Sequence, residues 1–199
     1  MGYTILEGFM SSIAEKIEEF SEEEEVQAAY IEGEVFEVIN GKMSSKGFPS
    51  EEHQAIVGEI YKQISIYLED KPCKVFVSPF PLRVRDYSNI IPFKQDVCSP
   101  DVVVMCHKDN QIESKRFPEF VIEVASPSTC YNDLTDKLRI YESIGVKEYW
   151  TVIDYSYVLV HLFEANQIKA YRDISGKLII PVTIFSDLSI VLDKVQIFK

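Results

Sequence analysis

At 199 residues, with ordinary apolar content, the chain is one domain able to bury a core, and wholesale disorder is excluded. No apolar run reaches the roughly 20 residues of a membrane span, and the N-terminus lacks the basic start and apolar block of a signal peptide, so a cytoplasmic protein is expected. A net charge of −12 argues against a broad non-specific nucleic-acid surface, while it suits a site that gathers divalent cations.

Phe9, Ile13, Ile17 and Phe20 fall at helical spacing, and the spacing predicts a short amphipathic helix over 9–20. The run Glu22-Glu23-Glu24-Glu25 then makes a solvated break, so residues 1–27 are read as an N-terminal helix and acidic segment. Tyr30 to Ile39 alternates as a strand or hairpin, with a bend at Gly33, and Asn40-Gly41 is a strong turn signal. Ser50 caps a helix from Glu51 to about Glu69, whose inward stripe carries His53, Val57, Ile60, Ile64 and Leu68. Short strands follow at Val75–Val77 and Leu82–Val84, then a loop over Tyr87–Phe93. Two apolar strands are expected at Pro100–Cys106 and Glu119–Ala125, followed by a helix from Asn132 to Ser143 that stops at Gly145. Tyr149–Asp154 is a further strand, and Tyr157–Glu164, Ala170–Tyr171 and Val182 read as hairpin strands before the tail at Ser186. This order predicts a mixed α/β domain, its sheet flanked by helices.

The chemistry concentrates between Ser99 and Tyr155. Asp101 opens one apolar strand and Glu123 sits inside the next, where an ionised group without a partner is costly. In the following helix Leu134, Lys137, Leu138 and Tyr141 share one face, so Lys137 lies on the inward stripe, while Asp136 and Arg139 point elsewhere. Two carboxylates make a hard, oxygen-rich site of the kind Mg²⁺ or Mn²⁺ prefers. Such an ion polarises a phosphoryl oxygen and acidifies a bound water, and an adjacent ammonium stabilises developing charge. His53 faces inward and is an accessory candidate, against the commoner reading of a hydrogen-bonded structural histidine. His107 and His161 are expected near the surface, and Trp150 with Tyr149 in core or interface. The stretch Ser126–Thr129 reads as a turn and cap, because no nucleophile elbow or triad pattern accompanies it. The four cysteines, Cys73, Cys98, Cys106 and Cys130, show no CxxC pair and are expected as reduced structural thiols.

Pro100-Asp101-Val102-Val103, Glu123-Val124-Ala125-Ser126-Pro127-Ser128-Thr129, Asp133-Leu134-x-x-Lys137-Leu138-x-x-Tyr141 and Gly145-Val146-x-Glu148-Tyr149-Trp150 occur in that order. In these blocks the chain resembles the Uma-type restriction endonuclease family, a branch of the PD-(D/E)XK nuclease superfamily. The resemblance runs from about Tyr30 to the C-terminus and takes in the Ile31-Glu32-Gly33-Glu34 hairpin and His53. It implies a restriction-endonuclease-like mixed β-sheet flanked by helices, with extra β-hairpins, over residues 28–199. It also implies metal-dependent phosphodiester hydrolysis by Asp101 and Glu123, assisted by a lysine, with Glu34 as a second accessory residue. The position two after Glu123 is Ala125, so Lys137 would supply the ammonium from the next helix. Where the family has a Tyr-Glu pair just before the hairpin, the chain has Ala28-Ala29, which implies that such a glutamate is absent from this site.

The function expected is therefore a Mg²⁺- or Mn²⁺-dependent endodeoxyribonuclease with no membrane association. A homodimer would present two sites to duplex DNA. The missing glutamate and the acidic balance support a rival, an inactive nuclease-fold module that binds nucleic acid or protein. A hydrolase of small phosphorylated molecules is a third reading, opposed if Lys115, Arg116 and Arg139 form a basic groove beside Lys137.

Overall fold

Asn40 and Gly41 have φ of 53° and 69°, the left-handed pair that a two-residue hairpin turn requires. They join β1 (Val35–Ile39) to β2 (Lys42–Lys46), paired antiparallel with Val38 opposite Met43. The buried carboxylate of Asp96 holds this turn, accepting from the amides of Asn40 at 3.0 Å and Gly41 at 3.1 Å. The computed structural model describes residues 35–88, 95–107, 116–126, 130–173 and 175–194. The expected helix at 9–20, the glutamate run, Ala28-Ala29 and the Ile31–Glu34 hairpin, including Glu34, lie outside the described residues.

Next comes α1 (Glu51–Tyr67), where Ser50 accepts from the His53 amide as the expected N-cap. Then follow β3 (Lys74–Val77), β4 (Leu82–Arg83), a single 3₁₀ turn, β5 (Val97–Cys98), β6 (Val102–His107) and β7 (Arg116–Val124). A crossover through α2 (Cys130–Leu134) and α3 (Asp136–Ser143) leads to β8 (Glu148–Asp154). The chain finishes with β9 (Tyr157–Leu162), β10 (Gln167–Arg172), β11 (Lys177–Pro181) and β12 (Ser189–Asp193).

Six strands form the main sheet in the order β10-β9-β8-β7-β6-β3, with β7 and β8 parallel and the other pairs antiparallel. The single parallel pair is the one bridged by helices, as a crossover demands. A second sheet runs β2-β1-β5-β4, and β11 pairs with β12 as a separate hairpin. The mixed α/β sheet with added hairpins is the fold class expected from the sequence.

Strand side chains alternate between two cores. Val102, Val104, Phe120, Ile122 and Trp150 pack with Ile56, Ile60 and Ile64 of α1 and with the β11–β12 hairpin. Val103, Met105, Val121 and Tyr149 face the other way, onto Ile140, Tyr141 and Ile144 and onto Leu82 and Cys98 of the second sheet. Helices thus cover opposite faces of the main sheet. Gln63 fastens α1 to β12 by copying a strand's ladder, donating to the Val191 carbonyl at 2.7 Å and accepting from its amide at 2.8 Å.

Several expectations are corrected. Cys73, the residue before β3, is joined by a disulfide to Cys106 of β6, with Cα atoms 4.2 Å apart, so only Cys98 and Cys130 are free thiols. Their facing positions on paired strands could not be read without the register. The single helix at 132–143 is two, broken at Thr135, whose backbone is non-helical (φ −128°, ψ −81°) and whose hydroxyl donates to the Tyr131 carbonyl at 2.7 Å. That back-bond competes with the helix ladder. His161 is buried on β9 rather than exposed, and burial lowers its pKa. No described helix is long and apolar enough to cross a membrane.

Replacing Asp96 by Ala would orphan the turn amides it caps. Loss of about 1–3 kcal/mol in urea unfolding is expected, with faster amide hydrogen exchange concentrated in β1 and β2.

Candidate functional site

The β6–β7 register pairs Val102 with Ile122 and Val103 with Val121. Just beyond that register lie Asp101, the residue before β6, and Glu123 in β7, which is contacted by Lys137 and Tyr141 of α3. The main chain joins them closely: the Val124 amide donates to Asp101 Oδ2 at 2.8 Å.

Lys137 occupies the centre. Its Nζ lies 3.0 Å from Glu123 Oε1, 3.1 Å from Glu37 Oε2 and 3.2 Å from Asp133 Oδ1, and the residue is only 2% exposed. The Tyr141 hydroxyl, one turn along α3, donates to Glu123 Oε1 at 2.6 Å. Glu37 comes from β1, and its other oxygen accepts from the Ser99 amide at 2.8 Å, two residues before Asp101. Asp101 has its own cations: Lys46 Nζ is 3.0 Å from Oδ1 and His53 Nε2 is 3.1 Å from Oδ2. Lys46 also donates to the Ser99 carbonyl at 2.6 Å.

The electrostatics divide the two carboxylates. Burial works against an ionised Asp101, but the His53 hydrogen bond, the Lys46 and His53 charges and the Val124 amide outweigh it and lower its pKa. At Glu123 burial wins. Its carboxyl is pushed up to about 8, against the pull of Lys137 and Lys46, and with Asp101 and Asp133 adding to the rise. Burial also opposes the Lys137 charge, yet Glu123, Glu37 and Asp133 together hold its pKa well above the ordinary lysine value.

Asp101, Glu123, Lys137 and His53 are therefore brought together. Glu37, Lys46, Asp133 and Tyr141 join them without having been singled out as site residues. The buried face of the crossover helices is Asp133, Lys137, Ile140 and Tyr141, while Leu134 and Leu138 are only half-buried. Asp136 is half-buried and Arg139 exposed, and Lys115 lies outside the described residues.

A family described as "Putative restriction endonuclease", Uma2, matches residues 14–192. The chain belongs to the Uma2 family. A crystal structure described as that of a putative nuclease belonging to DUF820, from Anabaena variabilis, is similar in fold, with a TM-score of 0.59 and 20% sequence identity. The similarity covers 78% of this chain and 87% of the Anabaena chain. The curated proteins contain no match to it.

Phe36-Glu37 is an aromatic-glutamate pair in the first strand of the hairpin turned at Asn40-Gly41, and Glu37 reaches the cluster. Glu37 thus brings a glutamate to the cluster from the β1–β2 hairpin, while Ala28-Ala29 lies outside the described residues. Ala125 is half-buried with its amide in the β8 ladder, donating to the Val152 carbonyl at 2.8 Å.

Among the described residues no three His, Cys, Asp or Glu side chains stand ready as a metal-ligand cluster, because ammonium groups lie between the carboxylates. The donor set nevertheless fits a hard divalent ion. Four buried carboxylates, Glu37, Asp101, Glu123 and Asp133, face two ammonium groups, Lys46 and Lys137. Burial, with Asp101 and Asp133 adding to it, keeps the Glu123 carboxyl high against the pull of Lys137 and Lys46.

Two outcomes are expected. Lys137→Met strips three carboxylates of their cation and should cost about 3–5 kcal/mol, read as a lower urea midpoint. Because the folded state holds the Glu123 proton up to about pH 8 while the unfolded chain releases it near the ordinary glutamate value, Glu123 contributes stability at low pH. That contribution is lost as pH rises through this window. A melting-temperature series should show the decline in the wild type and a flatter profile in Glu123→Gln.

Proposed function

We propose that this Uma2 protein is a divalent-metal-dependent nuclease that hydrolyses DNA phosphodiester bonds at the Asp101–Glu123–Lys137 cluster. The observation that carries the reading is the convergence of two strand carboxylates and a helix ammonium within one buried group. Asp101 and Glu123 would hold Mg²⁺ or Mn²⁺, which when bound supplies Lewis-acid polarisation of a phosphoryl oxygen and an acidified water. The chain's own residues supply the rest. Asp101, kept ionised by His53, Lys46 and the Val124 amide, is a fixed anionic anchor at neutral pH. Glu123 is oriented by the Tyr141 hydroxyl and by Lys137. Lys137 keeps its charge and is available to stabilise negative charge developing on phosphorus. Glu37 and Asp133 fix the ammonium from the sides away from Glu123.

Two sites are needed to cut both strands, and a homodimer would supply them by two-fold symmetry. A cytoplasmic setting is part of this reading.

A second reading, a catalytically inactive binding module, draws on one specific observation. The carboxylates are already satisfied by Lys46, Lys137 and His53, so the cluster is stable as a purely structural device.

Plasmid cleavage decides between them. The wild type with Mg²⁺ or Mn²⁺ is expected to nick or linearise DNA, and Asp101→Ala to abolish it. Lys137→Met, checked for folding by circular dichroism, should slow it by about a hundredfold or more. Wild-type activity no higher than that of Asp101→Ala would reject the nuclease and leave the binding module.

A further inference from the structure

Lys46 differs from the other ammonium of the cluster in one respect: its side chain has a route to solvent. Its Nζ lies at the end of a long side chain on the last residue of β2, and the side chain is 17% exposed. Lys137, at 2% exposure and shared by three carboxylates, has no such route. The partners of Asp101 divide in the same way. Oδ2 is engaged by the Val124 amide, fixed in the sheet, and by His53 at the capped start of α1. Oδ1 is engaged by Lys46.

A divalent ion that takes Asp101 as a ligand needs an oxygen not held by an ammonium group, and a second cation beside the same carboxylate would be repelled. Oδ1 is the oxygen whose partner can withdraw to water. We propose that Lys46 is a displaceable internal counter-cation: it occupies Asp101 when no metal is bound, competes with a divalent ion for that carboxylate, and so sets the metal affinity of the site. This rests on the reading of Asp101 as a metal ligand. It predicts a site loaded only where the divalent ion is abundant, with the metal-free protein held together by its own lysine.

The experiment is a Mn²⁺ titration of the full chelator-treated chain, read by the electron paramagnetic resonance signal of free Mn²⁺ at neutral pH. Lys46→Gln and Lys46→Met remove the charge and are expected to bind Mn²⁺ about tenfold or more tightly than the wild type. Lys46→Arg keeps the charge and should stay within about threefold of it. Unchanged or weaker binding in both neutral variants, with Asp101→Ala reducing wild-type binding, overturns the role of Lys46 and leaves the metal reading intact. No binding in any protein, or binding indifferent to Asp101→Ala, overturns the metal reading and this inference together. If both neutral variants fail to fold without metal, Lys46 is a structural strut and the inference is rejected.

Discussion

The structure depends on one buried ammonium group. Lys137 is touched by a carboxylate from the hairpin sheet (Glu37), one from the main sheet (Glu123) and one from the crossover (Asp133). These units share little else in sequence, and the lysine ties all three. Buried ion pairs are poor investments in stability, since apolar packing of the same volume often does as well. Losing one partner is severe, however, so the cluster forces its elements into a single mutual arrangement. The break at Thr135 belongs to this constraint. It separates α2 from α3 while Asp133 and Lys137 remain in contact across it.

The same arithmetic explains why the two strand carboxylates differ although they stand side by side. Asp101 has cations and an amide of its own. Glu123 has to share Lys137 with two rivals and is fully enclosed. One is therefore held ionised and the other pushed toward its neutral form. Neighbouring carboxyl groups driven apart in this way are a common mark of sites that handle protons or cations.

Much of this was legible in the sequence because it lay in local patterns. Carboxylates inside apolar runs marked Asp101 and Glu123, helical phase placed Lys137 inward, and Ser50 and Asn40-Gly41 announced a cap and a turn. What was hidden depended on contacts between distant segments. Glu37 sits in a strand of alternating character, where a glutamate ordinarily faces water, and only the packing of the second sheet buries it. Lys46 reads as a polar strand residue until Asp101, 55 positions later, is brought beside it. The Cys73–Cys106 disulfide likewise required the β3–β6 register, which nothing local specifies.

The lysine's origin on a helix has a consequence for the site. An ammonium two residues after Glu123 would be carried by β7 itself, and its reach would be fixed by that strand. Ala125 occupies that position, its amide committed to the β8 ladder. From α3, Lys137 approaches Glu123 from above the sheet and can meet Glu37 and Asp133 at the same time. It is thereby anchored from three elements at once. Lys46 is placed differently, paired with Asp101 and with its side chain 17% exposed. The two lysines thus divide the charge of the cluster: one is enclosed by three carboxylates, and the other balances Asp101 from the cluster's more open edge.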